Sequence, residues 1–256
     1  MFKLCVLASS SAGNCTFIGT ERTRLLIDAG LTLRSTEMRL AQIGESLEQI
    51  DGIFVTHEHV DHVKGIPALA KVLKKPLFMT RGTAEAQCFN GLDCDLIRFQ
   101  AGGSVTIGDI DLNTISVSHD ANDPVIYRIG SHGIRAAIVT DLGYLSEEVK
   151  MQLRMIDILV LEANHDLDLL RSSPYPWKVK ERIMGRKGHL SNEAAKHFIG
   201  QHMDSCVSTL ILAHLSNKTN NPYLVTRMLR EAMKVHRDNL KMHVAHPGTQ
   251  SPAFLY

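Results

Sequence analysis

The sequence predicts an α/β protein, a sheet-centred core with helices packed outside. Three observations carry this. Short runs rich in β-branched and apolar residues dominate the first half, helical periodicity interleaves with them and dominates later, and no Pro-, Gly- or Ser-rich linker divides the 256 residues. Strands are expected at Phe2–Ala8, Cys15–Ile18 and Arg24–Asp28, then a helix at Leu33–Ile43 and a strand at Gly52–Thr56. A helix at Pro67–Lys74 and a strand at Leu77–Thr80 follow. Val105–Ile107, Ile110–Ser116, Val125–Ile129 and Arg135–Thr140 read as further strands bounded by turn residues. Ser146–Leu153, Ser191–Cys206 and Pro222–His236 read as helices, and Thr209–Leu212 as a strand between the last two. Asn221-Pro222 is a cap followed by proline at the first helical position, and Glu147-Glu148 put acids into a first turn. No tandem repeat is visible.

At 44% apolar and 21% charged residues the chain can bury a substantial core, and a single unit spanning 1–256 is expected. A net charge of +1 argues against a globally basic nucleic-acid binder, so any such binding needs a local patch. Nothing approaches the ~18 consecutive apolar residues of a membrane span. Met1–Leu7 reads as a first strand, lacking the length and cleavage site of a secretory signal. Cys5, Cys15, Cys88, Cys94 and Cys206 are odd in number without a C-x-x-C, as in reduced thiols of a cytoplasmic protein. Cys88 and Cys94 are disfavoured as metal ligands because no second Cys/His pair accompanies them.

The strongest chemical signal is Thr56-His57-Glu58-His59-Val60-Asp61-His62, directly after the buried-strand pattern Ile53-Phe54-Val55. On a helix the four ligand types would point around most of the circumference. On a loop leaving a strand, His57 and His59 can face one ion while Asp61 and His62 face a neighbour. Imidazole and carboxylate suit zinc, manganese or iron. A histidine-rich surface loop is the bland alternative, and four donors within six residues after an apolar strand weigh against it. Three more strand-like runs end in a single donor each, His119, Asp141 and His214. One such residue alone is more often a capped or solvated group; their recurrence at strand ends raises the joint case.

The order H-x-H-x-D-H, His, Asp, His resembles the metal site of the metallo-β-lactamase superfamily, which implies a four-layer αβ/βα sandwich. The resemblance implies that His57, His59 and His119 hold a first divalent ion and Asp61, His62 and His214 a second, with Asp141 bridging. The ions would be Zn2+ or Mn2+, with Fe2+ a further candidate. Asp28, in Leu26-Ile27-Asp28-Ala29-Gly30, matches an early strand-end aspartate that orients the ligand loop from behind. Further motifs resemble the YycJ (WalJ) branch over nearly the whole chain. They are Ser9-Ser10-Ser11-Ala12-Gly13-Asn14-Cys15, Glu162-Ala163-Asn164-His165-Asp166, Tyr175-Pro176-Trp177, Gly188-His189-Leu190-Ser191-Asn192 and Ala213-His214-Leu215-Ser216. Ser10 departs from the glycine expected in the first of these. That branch is associated with exonuclease activity on DNA.

The resemblance therefore implies a dinuclear hydrolase that cuts DNA phosphodiesters through a metal-bridging hydroxide, with Asp61 orienting it. The same machinery serves thioesters and lactones, and a small-molecule hydrolase of the glyoxalase type is the alternative. Asp141 as the bridging group leans away from a β-lactamase. A redox di-iron protein would need another carboxylate and a flavin domain. A sensor would be expected to lose ligands. The run from Trp177 to His189 carries Lys178, Lys180, Arg182, Arg186 and Lys187 against one acid. Such a run is usually a solvated helix face; with the resemblance it reads as a phosphate-contacting surface, Trp177 stacking or packing. His189 reads equally as a group at the scissile phosphate or leaving oxygen and as a plain helix-entry residue.

Overall fold

Apolar residues that alternate between a core shared by two sheets and an outer core beneath the helices on either side account for most of the architecture. The structure, a computed structural model, describes residues 1–233 and 240–256. The first sheet opens as an antiparallel meander of β1 (Lys3–Ser10), β2 (Gly13–Gly19) and β3 (Arg24–Ile27). It continues in parallel through β4 (Gly52–Phe54), β5 (Leu77–Thr80) and β6 (Leu96–Phe99). The second sheet repeats that plan. β7 (Ser104–Ile107), β8 (Ile110–Ser116), β9 (Val125–Ser131) and β10 (Ile134–Val139) are antiparallel neighbours. β11 (Ile158–Glu162), β12 (Thr209–Ala213) and β13 (Lys241–Val244) add in parallel. β14 (Phe254–Leu255) returns to the free edge of β1.

Successive side chains of a strand face opposite ways, so an unbroken apolar run serves two cores at once. Leu4 and Val6 of β1 enter the core between the sheets. Cys5 and Leu7 face outward, against Leu40 of α1 (Leu33–Gln42) and Ile66 and Leu69 of α3 (Ile66–Leu73). In the second sheet Ile158 and Val160 point inward. Leu159 and Leu161 meet Phe198 of α8 (Asn192–Gln201) and Leu229 of α9 (Pro222–Ala232). Each such residue contributes on the order of 1.5–3 kcal/mol of burial. The layers are helix, sheet, sheet, helix: the α/β sandwich expected from the sequence. Between α1 and α3 lies α2 (Val60–Val63), and between α3 and α8 lie α4 (Arg81–Ala84), α5 (Glu147–Gln152), α6 (Leu167–Ser172) and α7 (Trp177–Met184).

Some boundaries differ from the reading of the sequence. The helix expected at 191–206 ends at Gln201, because the His202 and Met203 amides both turn back to the Phe198 carbonyl. α9 covers the start of the Pro222–His236 segment, and residues 234–236 lie outside the described residues. β6, β11, β13 and β14 were not expected. Of these, β11 is an all-apolar run closed by a single acid.

The sheets are tied together at one end. Val125 N–H donates to the Thr56 carbonyl at 3.1 Å, and His214 N–H donates to Ser9 Oγ at 2.7 Å. Deeper in, Tyr127 Oη donates to the Val55 carbonyl at 2.7 Å. That end carries the candidate site.

Candidate metal centre

β3, β4, β8, β10, β11 and β12 all run out at this rim. Asp28, Asp141 and His214 leave their strands in left-handed backbone, at φ of +62°, +61° and +54°. Crowding at Cβ makes that conformation cost on the order of 1 kcal/mol or more for a non-glycine residue. Three such turns on one rim aim three polar side chains inward. His57 and His59 lie on the loop after β4, but Asp61 and His62 sit on the helical turn α2 rather than on a loop throughout. The turn carries only two of the donors, so the divergence a longer helix would impose does not arise.

Behind almost every imidazole stands an acceptor that takes one ring nitrogen and turns the other to the centre. His62 Nδ1 donates to Asp28 at 2.8 Å, His119 Nδ1 to the Gly188 carbonyl at 3.0 Å, and His214 Nδ1 to Glu162 at 2.8 Å. His57 Nδ1 lies 3.0 Å from Thr56 Oγ1, which donates its own proton to Asp28. One buried carboxylate thus fixes two histidines, one of them through a hydroxyl. Such backing sets tautomer and ring orientation at metal sites.

Three of the atoms turned inward lack hydrogen-bond partners. His57 Nε2, His214 Nε2 and Asp141 Oδ2 are buried with no hydrogen-bond partner among the described residues. The donor atoms gather as His57–His59–His119, as His57–His62–Asp141, as Asp61–His62–His214 and as Asp141–Glu162–His189–His214, each group within 4.8 Å. Leaving buried polar atoms unmade costs about 1–3 kcal/mol apiece. Imidazole nitrogens and carboxylates together suit divalent cations, and this donor set fits them.

The charge balance points the same way. Burial opposes charge on His62 and His214. The carboxylates of Asp28 and Asp141 nevertheless raise His62 well above the usual histidine range, and Asp141, Asp61 and Glu162 lift His214 to about 10. Burial also works against the Asp141 carboxylate, yet His214 and His62 hold it well below its usual range. In the protein alone, protons on imidazoles neutralise buried acids; a cation would do the same and release them.

Three contributors went unassigned in the sequence. Glu162 is fully buried, and its Oε1 accepts from both His214 Nδ1 and His189 Nδ1, the latter at 2.9 Å. Its Oε2 accepts from the Leu142 and Leu190 amides. Burial would raise its pKa, but the charge of His189 and the hydrogen bonds from His189 and His214 bring it to about 2. Asn14 Nδ2 lies 3.1 Å from Asp61 Oδ2 and 3.0 Å from His62 Nε2. Asp120 holds one oxygen against Arg182 Nε. The other, buried and without a hydrogen-bond partner, lies 3.4 Å from His119 Nε2. The legible signal was for Glu162: an apolar strand ended by an acid, the pattern that marked Asp141.

A cavity of about 280 Å³ opens over the cluster, with His59, Asp61, Asp141 and His214 in its lining beside His189 and Arg182. Arg182 comes from α7, which walls one side. Lys178, Arg186 and Lys187 are exposed, Arg186 lying 4.4 Å over the Tyr144 ring. Lys180 departs from the expected phosphate-contacting face: its stem is buried and its ammonium donates to the Arg171 carbonyl. Trp177 is exposed and outside the cavity lining. Cys88 and Cys94 belong to none of these donor groups.

Residues 23–215 match the family model described as the beta-lactamase superfamily domain. The chain belongs to the beta-lactamase superfamily. Among curated members it is 35% identical over 251 residues to the exodeoxyribonuclease YycJ of Bacillus anthracis, covering 93% of this chain and 95% of that one. It is 33% identical to the exodeoxyribonuclease WalJ of Streptococcus pneumoniae serotype 2 over 98% of this chain and 97% of the relative. The metallo-β-lactamase-fold protein YhfI of Bacillus subtilis superposes with a TM-score of 0.74 at 16% identity, covering 98% of each chain. As a member of this superfamily the protein is a metal-dependent hydrolase. No helix among the described residues is long and apolar enough to cross a membrane.

Proposed function

We propose that this hydrolase is an exonuclease that cuts DNA phosphodiesters at a site taking two divalent ions. His57, His59 and His119 would hold the first, Asp61, His62 and His214 the second, and Asp141 would face both. The observation that carries the reading is the division of donors: protein acceptors lie behind the rings, and orphaned buried atoms lie in front. Near full-length relatives named exodeoxyribonucleases support DNA as the substrate.

Bound divalent ions, zinc, manganese or iron, polarise the diester and lower the pKa of water towards ~7. The protein's own groups then orient and exchange protons. Asn14 steadies the Asp61 carboxylate. Asp120 grips Arg182 at Nε, leaving its terminal nitrogens for a substrate phosphate at the cavity wall. His189 donates Nδ1 to Glu162, so its Nε2 is free to bind the scissile phosphate or protonate the leaving oxygen. Lys178, Arg186 and Lys187 extend a positive surface along which the strand can approach, with exposed Trp177 as a stacking platform.

Turnover of labelled single- and double-stranded DNA and RNA by metal-reconstituted protein, beside a thioester and a β-lactam, tests the reading. DNA should be degraded with activity that falls steeply with salt, and metal analysis should approach two ions per chain. Fast thioester turnover with inert DNA would move the assignment to a small-molecule hydrolase. A stoichiometry staying below one would remove the dinuclear site. Asp61→Asn should abolish turnover in a folded protein. His189→Ala should slow DNA cleavage by about 10²–10⁴-fold with metal content retained.

A further inference from the structure

A second concavity lies on the same rim, away from the metal cluster. It has a volume of about 380 Å³, and Tyr223, Thr226, Arg227 and Arg230 of α9 line it with His246 from the segment after β13. Tyr223, Arg227 and Arg230 stand at i, i+4 and i+7, one stripe of the helix. Val225, Leu229 and Ala232 cover the opposite, buried stripe. Tyr223 is 75% exposed, a large aromatic with nothing packed on most of its surface. Neither Arg227 nor Arg230 forms an ion pair or side-chain hydrogen bond among the described residues. The acid nearest in sequence, Glu231, sits on the adjacent face with Lys196. In a protein of net charge +1 this is a local concentration of positive charge beside an unpacked ring.

The topology connects this surface to the catalytic cavity. β12 ends at the rim, and the loop after it is pinned there: Asn220 Nδ2 donates to the Ala163 carbonyl at 2.8 Å, and Asp166 N–H to the Thr219 carbonyl at 2.9 Å. α9 therefore starts at the rim. β13 runs parallel to β12, which puts His246 at the same end. Tyr175 and Ser216 line the catalytic cavity, and the exposed Lys218 ammonium lies 5.3 Å from the Tyr175 ring centroid. Tyr175, Lys218, Tyr223, Arg227 and Arg230 thus place two rings and three positive charges on the elements that bound the two cavities. A solvated arginine stripe explains the charges alone; it does not explain an exposed tyrosine in a concavity on the rim that carries the catalytic cavity.

We propose that Tyr223, Arg227, Arg230 and His246 form a second nucleic-acid site that holds single-stranded DNA several nucleotides from the bond being cut. The proposal rests on the exonuclease reading. Arginines neutralise phosphates, and the ring stacks on a base, which requires a base freed from a duplex. Such a site would keep a long strand engaged between cuts.

The test compares wild type with Tyr223→Ala and with the triple variant Tyr223→Ala/Arg227→Ala/Arg230→Ala, all metal-loaded. One substrate is a single-stranded DNA of roughly 20 nucleotides, longer than the ~4–16 nucleotides one such surface covers. The other is bis(p-nitrophenyl) phosphate, too short to reach α9. The preference for the long strand over the small diester should fall about tenfold or more with Tyr223→Ala, and further in the triple variant. The slope of log affinity against log salt should lessen by about 0.7 for each arginine–phosphate pair removed. An unchanged preference and salt slope in the triple variant, with wild type cutting DNA, would overturn the second site. A wild type that cuts no DNA would instead remove the exonuclease reading, and this site with it.

Discussion

Asp28 and Asp141 occupy the same place in the two halves of the molecule. Each follows the last antiparallel strand of its sheet, each turns in left-handed backbone, and each stands two residues before a glycine. Their surroundings differ. Asp28 accepts from Thr56 N–H at 2.8 Å, from Thr56 Oγ1 and from His62 Nδ1, so protein donors fill both oxygens. Asp141 keeps Oδ2 without a hydrogen bond although the carboxylate is buried, with His62 Nε2 3.2 Å away. One backbone device therefore gives a fastening in the first half and an open carboxylate in the second. What decides is whether the protein has filled the lone pairs.

The largest expected effect tests that difference directly. Asp141→Asn should cost at least about 100-fold in activity, the upper end of what losing a supporting partner costs, and metal per chain should fall with it. Asp28→Asn should stay within about 10–100-fold and lose stability instead, about 1–3 kcal/mol for donors left unpaired in the core. Metal analysis and denaturant midpoints on both variants separate the two outcomes. Equal metal loss would break the comparison.

The glycines sharpen it. A Cβ at Gly30 would lie 1.7 Å from the Asp61 carbonyl oxygen, and one at Gly143 would lie 2.2 Å from the Arg186 carbonyl oxygen. Each gap admits the backbone of a loop at the rim, the turn that carries Asp61 in one half and the approach to His189 in the other. Gly30→Ala and Gly143→Ala should each destabilise by about 1–3 kcal/mol through overpacking. Gly30→Ala should lower metal content. Gly143→Ala should slow turnover with metal retained. The same assays read both variants, and matching profiles would deny the two gaps separate roles.

The smallest effect is a matter of pH. The second half also buries His165, with neither ring nitrogen hydrogen-bonded among the described residues. Burial lowers its pKa from 6.5 to about 4, against the pull of Glu162. Between those values the unfolded chain takes up a proton that the folded protein refuses. Stability is therefore complete above about 6.5 and falls as the pH drops towards about 4. Urea midpoints at pH 7.5 and pH 5 should differ less for His165→Asn than for wild type; equal differences would show that the ring titrates normally.

Much of this rim was legible. His57, His59, Asp61 and His62 crowd one short segment after an apolar strand, and no core gains from polar residues there. Glu162 was harder because it is one acid at the end of one strand, and its role exists only where Leu142, Leu190, His189 and His214 converge on it. Asn14 and Asp120 act through partners 47 and 62 positions away, a spacing no local pattern encodes. Lys180 shows the opposite limit. Counting charges placed it on a solvent face, but a long apolar stem let its ammonium fold back onto a carbonyl. The repeated strand order of the halves was invisible because it lies in which strands pair, and no local pattern encodes that.

β14 has a consequence for how the molecule is made. Lys3 and Leu4 pair with Leu255 and Phe254, and Ser251 exchanges backbone and hydroxyl hydrogen bonds with Val6. Until those residues leave the ribosome, β1 is an exposed edge with a row of unpaired amides and carbonyls, a template for another strand. Closing it requires Val6 to meet Ser251 across 245 positions, and such non-local pairing is slow to form. The first half translated is therefore among the last to be finished, and crowding during synthesis threatens β1 first.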